Sequence, residues 1–210
     1  KENGVYSDVF IPIRNPSDKS KNKVDDEGVN LHYFLIWNKF LKFFPLLKVL
    51  VVFICVAKKY RKNNNKPKYF IAHTLWSDGF ICLLLKFFFG VEYVVCVRNT
   101  DINIFLKYLV WYRFFQKKIC SNALQIIFIS PALQKHAKTK YSSVFKDVTD
   151  KCLVIPNGVA MNFLTDTYFK REQSGSFKFL KCCYVGKLNT NKNLSSVIAA
   201  IDKIKGNFYG

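Results

Sequence analysis

The sequence predicts an α/β protein built on a parallel, doubly wound sheet, and three observations carry that reading. From residue 69 onward short apolar runs alternate with helical patterns: strands at 69–72, 92–97, 124–129 and 152–155 are separated by helices at 77–89, 104–119 and 130–139. The third of these helices opens on Ser130-Pro131, an N-cap followed by proline at the first helical position. Near the other end, an apolar run at 179–185 leads through Gly186 and a polar loop into an amphipathic pattern on Leu194, Val197, Ile198, Ile201 and Ile204. Strands alternating with helices favour parallel pairing, with ligands at the carboxyl ends of the strands.

Before this alternation the signals are coarser. Residues 5–13 read as a short strand, and the polar run 14–30 as an exposed loop. Residues 38–60 are almost continuously apolar, broken by Lys39, Lys42, Lys48 and Pro45, where the proline either begins the helix or kinks it. The uninterrupted apolar part falls short of the roughly 20 residues a bilayer crossing needs, so a buried or interfacial helix is expected. Residues 58–68 form a cationic linker, and the polar stretch 157–175 has no sustained periodicity. That stretch reads as a linker between a first domain, 1–156, and the beginning of a second, 176–210. In the second, Asn189, Thr190 and Asn191 can cap the helix and Gly206 can end it.

Composition narrows the class. Hydrophobic residues at 50% and aromatics at 17% exclude a disordered chain. A net charge of +19 attracts nucleic acid, anionic membrane or phosphorylated ligands without choosing among them. Seven cysteines without any C-x-x-C favour buried free thiols in a reducing compartment, and His32, His73 and His136 are too scattered for a metal site. Residues 1–30 are polar and the chain opens K-E-N-G, so no signal peptide is expected and the chain is expected to be an internal fragment.

The stretch from Tyr184 to Leu194, Y-V-G-K-L-N-T-N-K-N-L, carries the most chemistry. Its loop aims unpaired N–H groups and a helix dipole at whatever sits above the strand, and Lys187 and Lys192 add two full charges; the residues by themselves read as a phosphate site or as a solvated turn. Upstream stands Val154-Ile155-Pro156-Asn157-Gly158-Val159, followed by Phe163. Together the two segments resemble the I-P-N-G-V-D…F and V-G-R-L…K-N segments of family 4 glycosyltransferases, in the same order and at a similar separation. The resemblance is good from about residue 69 to residue 200 and vague before it.

The resemblance implies a GT-B fold: a Rossmann-like acceptor-side domain missing its start, plus the first β-α unit of a Rossmann-like donor domain. It implies retaining transfer of a sugar from a nucleoside-diphosphate sugar to a saccharide or lipid-linked acceptor, in surface polysaccharide or glycolipid synthesis, with no metal and no other cofactor. Gly186, Lys187 and Lys192 would hold the donor diphosphate, Lys187 standing where arginine is common and so giving a point charge rather than a planar fork. His73, within I-A-H-T-L-W-S-D-G-F, is similar to the family's H…S-x-G stretch on the acceptor side of the cleft. Arg98, Asn99 and Asp101 would line the same side. Many relatives carry histidine where Arg98 stands; arginine exchanges no proton near neutral pH, so Arg98 is expected to bind an anion or hydroxyls, and Asp101 to hold sugar hydroxyls.

Asn157 and Gly158 would form the interdomain hinge, a turn in which glycine can take positive φ. No catalytic residue is assigned. The family's Gly-rich loop and its E-x-x-x-x-x-x-x-E segment lie outside these residues, so the chain by itself is expected to be inactive. The aromatic and basic run Trp111, Tyr112, Arg113, Phe114, Phe115, Lys117 and Lys118 reads as a helix packed on the sheet, or as a surface lying on anionic lipid on the inner face of the cytoplasmic membrane. Two rivals stand beside the transferase: a non-catalytic basic protein that binds membrane or nucleic acid, and a GT-B sugar-nucleotide epimerase. The transferase reading itself expects no nucleic-acid partner.

Overall fold

The computed structural model describes residues 6–22, 28–36, 44–62, 66–158, 183–186, 188 and 190–208. The chain divides into two compact units, residues 1–159 and 160–210, a boundary that falls inside the stretch read as the linker.

In the first unit β1 (Ser7–Ile13) pairs in parallel with β2 (Val29–Leu35), Ser7 opposite Val29 and Ile13 opposite Leu35. The sequence reading overlooked β2 and began it inside a loop. Its polar Asn30 and His32 mask the alternation in V-N-L-H-Y-F-L, and a parallel pair needs a long connection in place of a hairpin signal. Part of that connection is a 3-10 turn, Pro16–Asn22.

Helix α1 (Pro45–Lys62) begins on Pro45, so the proline starts the helix rather than kinking it; the earlier part of the predicted helix, 38–43, lies outside the described residues. Its buried stripe is Val49, Val52, Val56 and Tyr60. Its other side is apolar too, with Leu46, Leu47, Leu50 and Ile54 exposed.

The main sheet contains β3 (Tyr69–Ala72), β4 (Glu92–Val97), β5 (Gln125–Phe128) and β6 (Cys152–Val154), all parallel and in that spatial order. Between them come α2 (Ser77–Phe89), α3 (Leu106–Tyr108), α4 (Arg113–Asn122), α5 (Pro131–Lys140) and α6 (Ser142–Phe145). Helix α1 packs on α2, α2 on α4, and α4 on α6, so the helices form one layer. Right-handed crossovers that always step to the next strand give that result. Ala72, Tyr93, Val95, Val97, Ile126 and Phe128 face the layer and are buried, whereas the alternate Ile71 is 54% exposed. The result is an α/β fold with a Rossmann-like parallel sheet; the second helical layer of a doubly wound sheet is not found among the described residues. The two sheets share no ladder, and Phe10 of β1 stacks on Phe70 of β3 at 6.1 Å.

Several elements follow from local chemistry. Gly90, at φ 69°, closes α2 by donating its N–H to the Lys86 carbonyl, and Ser130 Oγ caps α5 by accepting from the Leu133 N–H at 3.2 Å. The predicted helix 104–119 is broken. A π-helical turn, Asp101–Phe105, runs into α3, the chain leaves helical angles at Leu109, and a 3-10 turn, Val110–Tyr112, precedes α4. Aromatic packing sets the break: Tyr112 meets Trp76 edge-on at 4.2 Å, and Phe115 packs against Phe80 at 5.4 Å.

Every described cysteine is a free thiol; Cys82 and Cys120 are buried, Cys55, Cys96 and Cys152 are half-buried, and Cys183 is exposed. Burial pushes Cys82 up to about 12, which makes it an inert core residue. Gln116 of α4 is also fully buried, and neither end of its amide makes a hydrogen bond. We expect Gln116→Met, of similar size, to stabilise the protein by about 1–2 kcal/mol, because an unmet buried amide is costly. Thermal unfolding checks this; a lowered Tm would mean that a buried water serves the amide.

In the second unit a 3-10 turn, Thr190–Lys192, precedes α7 (Leu194–Phe208). The helix runs through Gly206, which therefore does not end it. Of the predicted strand at 179–185, residues 179–182 lie outside the described residues and 183–185 form no strand. Asn193 stands before the helix at φ 48° and its Oδ1 accepts from Ser196 Oγ at 2.8 Å. Asn189 and Lys187 lie outside the described residues.

Candidate functional site

The site is built from three strand ends, and Arg98 connects them. Arg98 leaves β4, and its Nε donates to the His73 carbonyl beyond β3 at 3.3 Å. Its Nη1 donates to Asn157 Oδ1, beyond β6, at 2.8 Å. The fork geometry of guanidinium makes this bracket; an ammonium could not hold both acceptors in one plane. Both acceptors are neutral, and no carboxylate pairs with the guanidinium among the described residues. Within the described residues its charge thus has no ion-pair partner at the carboxyl edge of the sheet, where parallel folds place ligands.

Asp101 has a different place from the one expected of it. It is fully buried, and its Oδ2 accepts from the Arg98 N–H at 2.8 Å. Burial pushes its carboxyl above the ordinary range, while the N–H groups of Arg98, Leu75 and Trp76 pull the other way and Asp78 adds a further upward push. Oδ1 completes no hydrogen bond of good geometry, so Leu75 and Trp76 act on it as nearby dipoles at the start of α2. Asp101 thus ties the β4 loop to the start of α2 and reaches no surface from which to hold a sugar hydroxyl.

The start of α2 is tied locally as well. Thr74 Oγ1 accepts from the Asp78 N–H at 3.3 Å and lies 2.8 Å from Ser77 Oγ, and the Thr74 carbonyl accepts from the Gly79 N–H. Gly79, the glycine of the S-x-G stretch, lets α2 approach β4 and α4: an added Cβ would lie 2.9 Å from Ile119 Cγ2 and 3.5 Å from Val95 Cγ2.

His73 and Asn99 are exposed beside this framework, so His73, Arg98, Asn99 and Asn157 come together at one end of the sheet. Gly158 is exposed but does not take positive φ, which corrects the expected glycine turn. In the second unit Gly186 adopts φ 158° and Lys192 is exposed at the end of its 3-10 turn. Sequence reasoning missed Thr74, whose spacing from Ser77 and Asp78 is a capping signal, and the bond between Arg98 and Asn157, for which no local signal exists.

No group of three or more His, Cys, Asp or Glu able to hold a metal occurs among the described residues, and no described helix is long and apolar enough to cross a membrane. Comparison with protein-family models and with curated proteins gives no match.

Proposed function

We propose that this chain belongs to a GT-B glycosyltransferase of the family 4 type, which moves a sugar from a nucleoside-diphosphate sugar to a saccharide or lipid-linked hydroxyl with retention. The observation that supports this reading is the convergence of His73, Arg98, Asn99 and Asn157, drawn from separate strand ends, on one end of a parallel sheet. In that role Arg98 contributes a fixed positive charge to the acceptor side of the cleft. Gly186, Lys187 and Lys192 receive the departing diphosphate, whose developing charge needs cations and oriented N–H groups where no metal serves it. A second reading, a basic membrane-binding protein, draws on the exposed side of α1 and the end of α2: Leu47, Leu50 and Phe87 are exposed, and Ile54 and Phe88 stand beside Lys58 and Arg61.

Titrating the complete protein with UDP, GDP and ADP at two salt concentrations separates the readings. The transferase predicts saturable binding of one of them that Lys187→Ala/Lys192→Ala weakens about tenfold or more, since each charge-assisted contact contributes roughly 1.5–3 kcal/mol. Arg98→Ala leaves that binding intact but lowers transfer about 100-fold, and Arg98→Lys does not restore it, because the planar fork is lost. Binding that collapses with salt, ignores the nucleotide and survives the lysine substitutions favours the membrane reading.

A further inference from the structure

At the end of the first unit opposite Arg98, a cavity of about 600 Å³ opens among the first residues of β1 and β2, the last turn of α1 and the loop into β3. Tyr6, Asp8, Asn30 and His32 line one side; Lys59, Lys62, Lys66 and Pro67 line the other. Among the described lining residues the one carboxylate is Asp8, and its Oδ1 lies 2.9 Å from His32 Nε2. Lys66 Nζ sits 5.6 Å from the centre of the Tyr60 ring, a contact that steadies it beside the cavity.

Three ammonium groups from two segments repel one another across a shared space. The terminal carbonyls of α1 offset that only in part, since a helix end carries about half a charge. The arrangement suits a ligand that brings several negative charges. Asn30 and Tyr6 supply neutral polar groups beside the cations, and the volume accepts more than a single small ion.

We propose that this pocket is an anion site for a small, multiply charged phosphate compound, distinct from the donor and acceptor sites proposed above. It lies at the amino ends of β1 and β2, whereas the bracket around Arg98 lies at the carboxyl ends of β3, β4 and β6. The three lysines hold the phosphate oxygens as point charges. His32, fixed by Asp8, closes the wall of the pocket on the strand side.

Lysine acetylation of the whole chain, mapped by mass spectrometry with and without inorganic pyrophosphate at constant ionic strength, tests this. Pyrophosphate is expected to protect Lys59, Lys62 and Lys66 about tenfold while leaving Lys135, Lys140 and Lys146 unchanged, as for a site whose contacts each contribute about one power of ten. Substituting all three pocket lysines with alanine should abolish saturable binding at this site, and the charge-matched Lys135→Ala/Lys140→Ala/Lys146→Ala variant should retain it. Protection confined to Lys187 and Lys192 would overturn the pocket and leave the donor reading intact. Even protection over all lysines, or equal losses in both triple variants, would also overturn it. So would pocket lysines that pyrophosphate leaves unprotected.

Discussion

Asp101→Ala is expected to destabilise the first unit by about 2–4 kcal/mol, because it leaves the half-buried Arg98 N–H without its acceptor and removes the buried group facing the start of α2. Asp101→Asn keeps an acceptor oxygen and brings no charge to desolvate, so its cost is smaller. The two variants also differ from wild type in pH dependence. The folded carboxyl titrates above its ordinary value of 3.8, chiefly through burial. The stability that this shift contributes is present in full below the ordinary value and is lost as pH rises through the folded one. Urea unfolding followed from pH 3.5 upward should therefore show wild type losing stability across that window relative to Asp101→Asn. Parallel profiles would mean that Asp101 is not buried as a carboxyl.

Gly79→Ala should cost about 1–3 kcal/mol even though alanine is the better helix former by about 1 kcal/mol. The new Cβ would meet Ile119 Cγ2 at 2.9 Å, and Ile119 is fully buried and branched at Cβ, which restricts the rotation that could relieve the contact. Ile119→Ala by itself should cost about 2–5 kcal/mol through the cavity it leaves. The double variant should then lose clearly less than the two single costs combined, because each change relieves the other. Additive costs, or a stabilising Gly79→Ala, would show that α2 does not approach α4 so closely.

The sequence was most legible where a segment's own period and punctuation decide its structure. Residues 69–72, 77–89 and 92–97 form the predicted elements with the predicted bounds, because short apolar runs and the Gly90 that ends the helix act locally. Helix α5 follows from Ser130-Pro131 in the same way. The strand β2 was hidden because its partner is reached through a long crossover, and the break at Leu109 because rings from α2 impose it. The site divides along the same line. That Arg98 and His73 lie near strand ends is readable from the alternation, but the burial of Asp101 depends on the start of α2, some 25 residues earlier, and nothing in its neighbourhood announces it.

The consecutive order of the main sheet bears on how the chain acquires its structure. Each strand pairs with the one before it, and partners are separated by only about 20–30 residues, so each closure adds a modest entropic cost. A nascent chain can add one β-α unit at a time as it leaves the ribosome, with each new helix landing on a layer already begun. No late strand has to be threaded between two earlier ones within this sheet. Folding of the main sheet is therefore expected to proceed vectorially from β3 to β6, with β6 and the Arg98 to Asn157 bond as its final step.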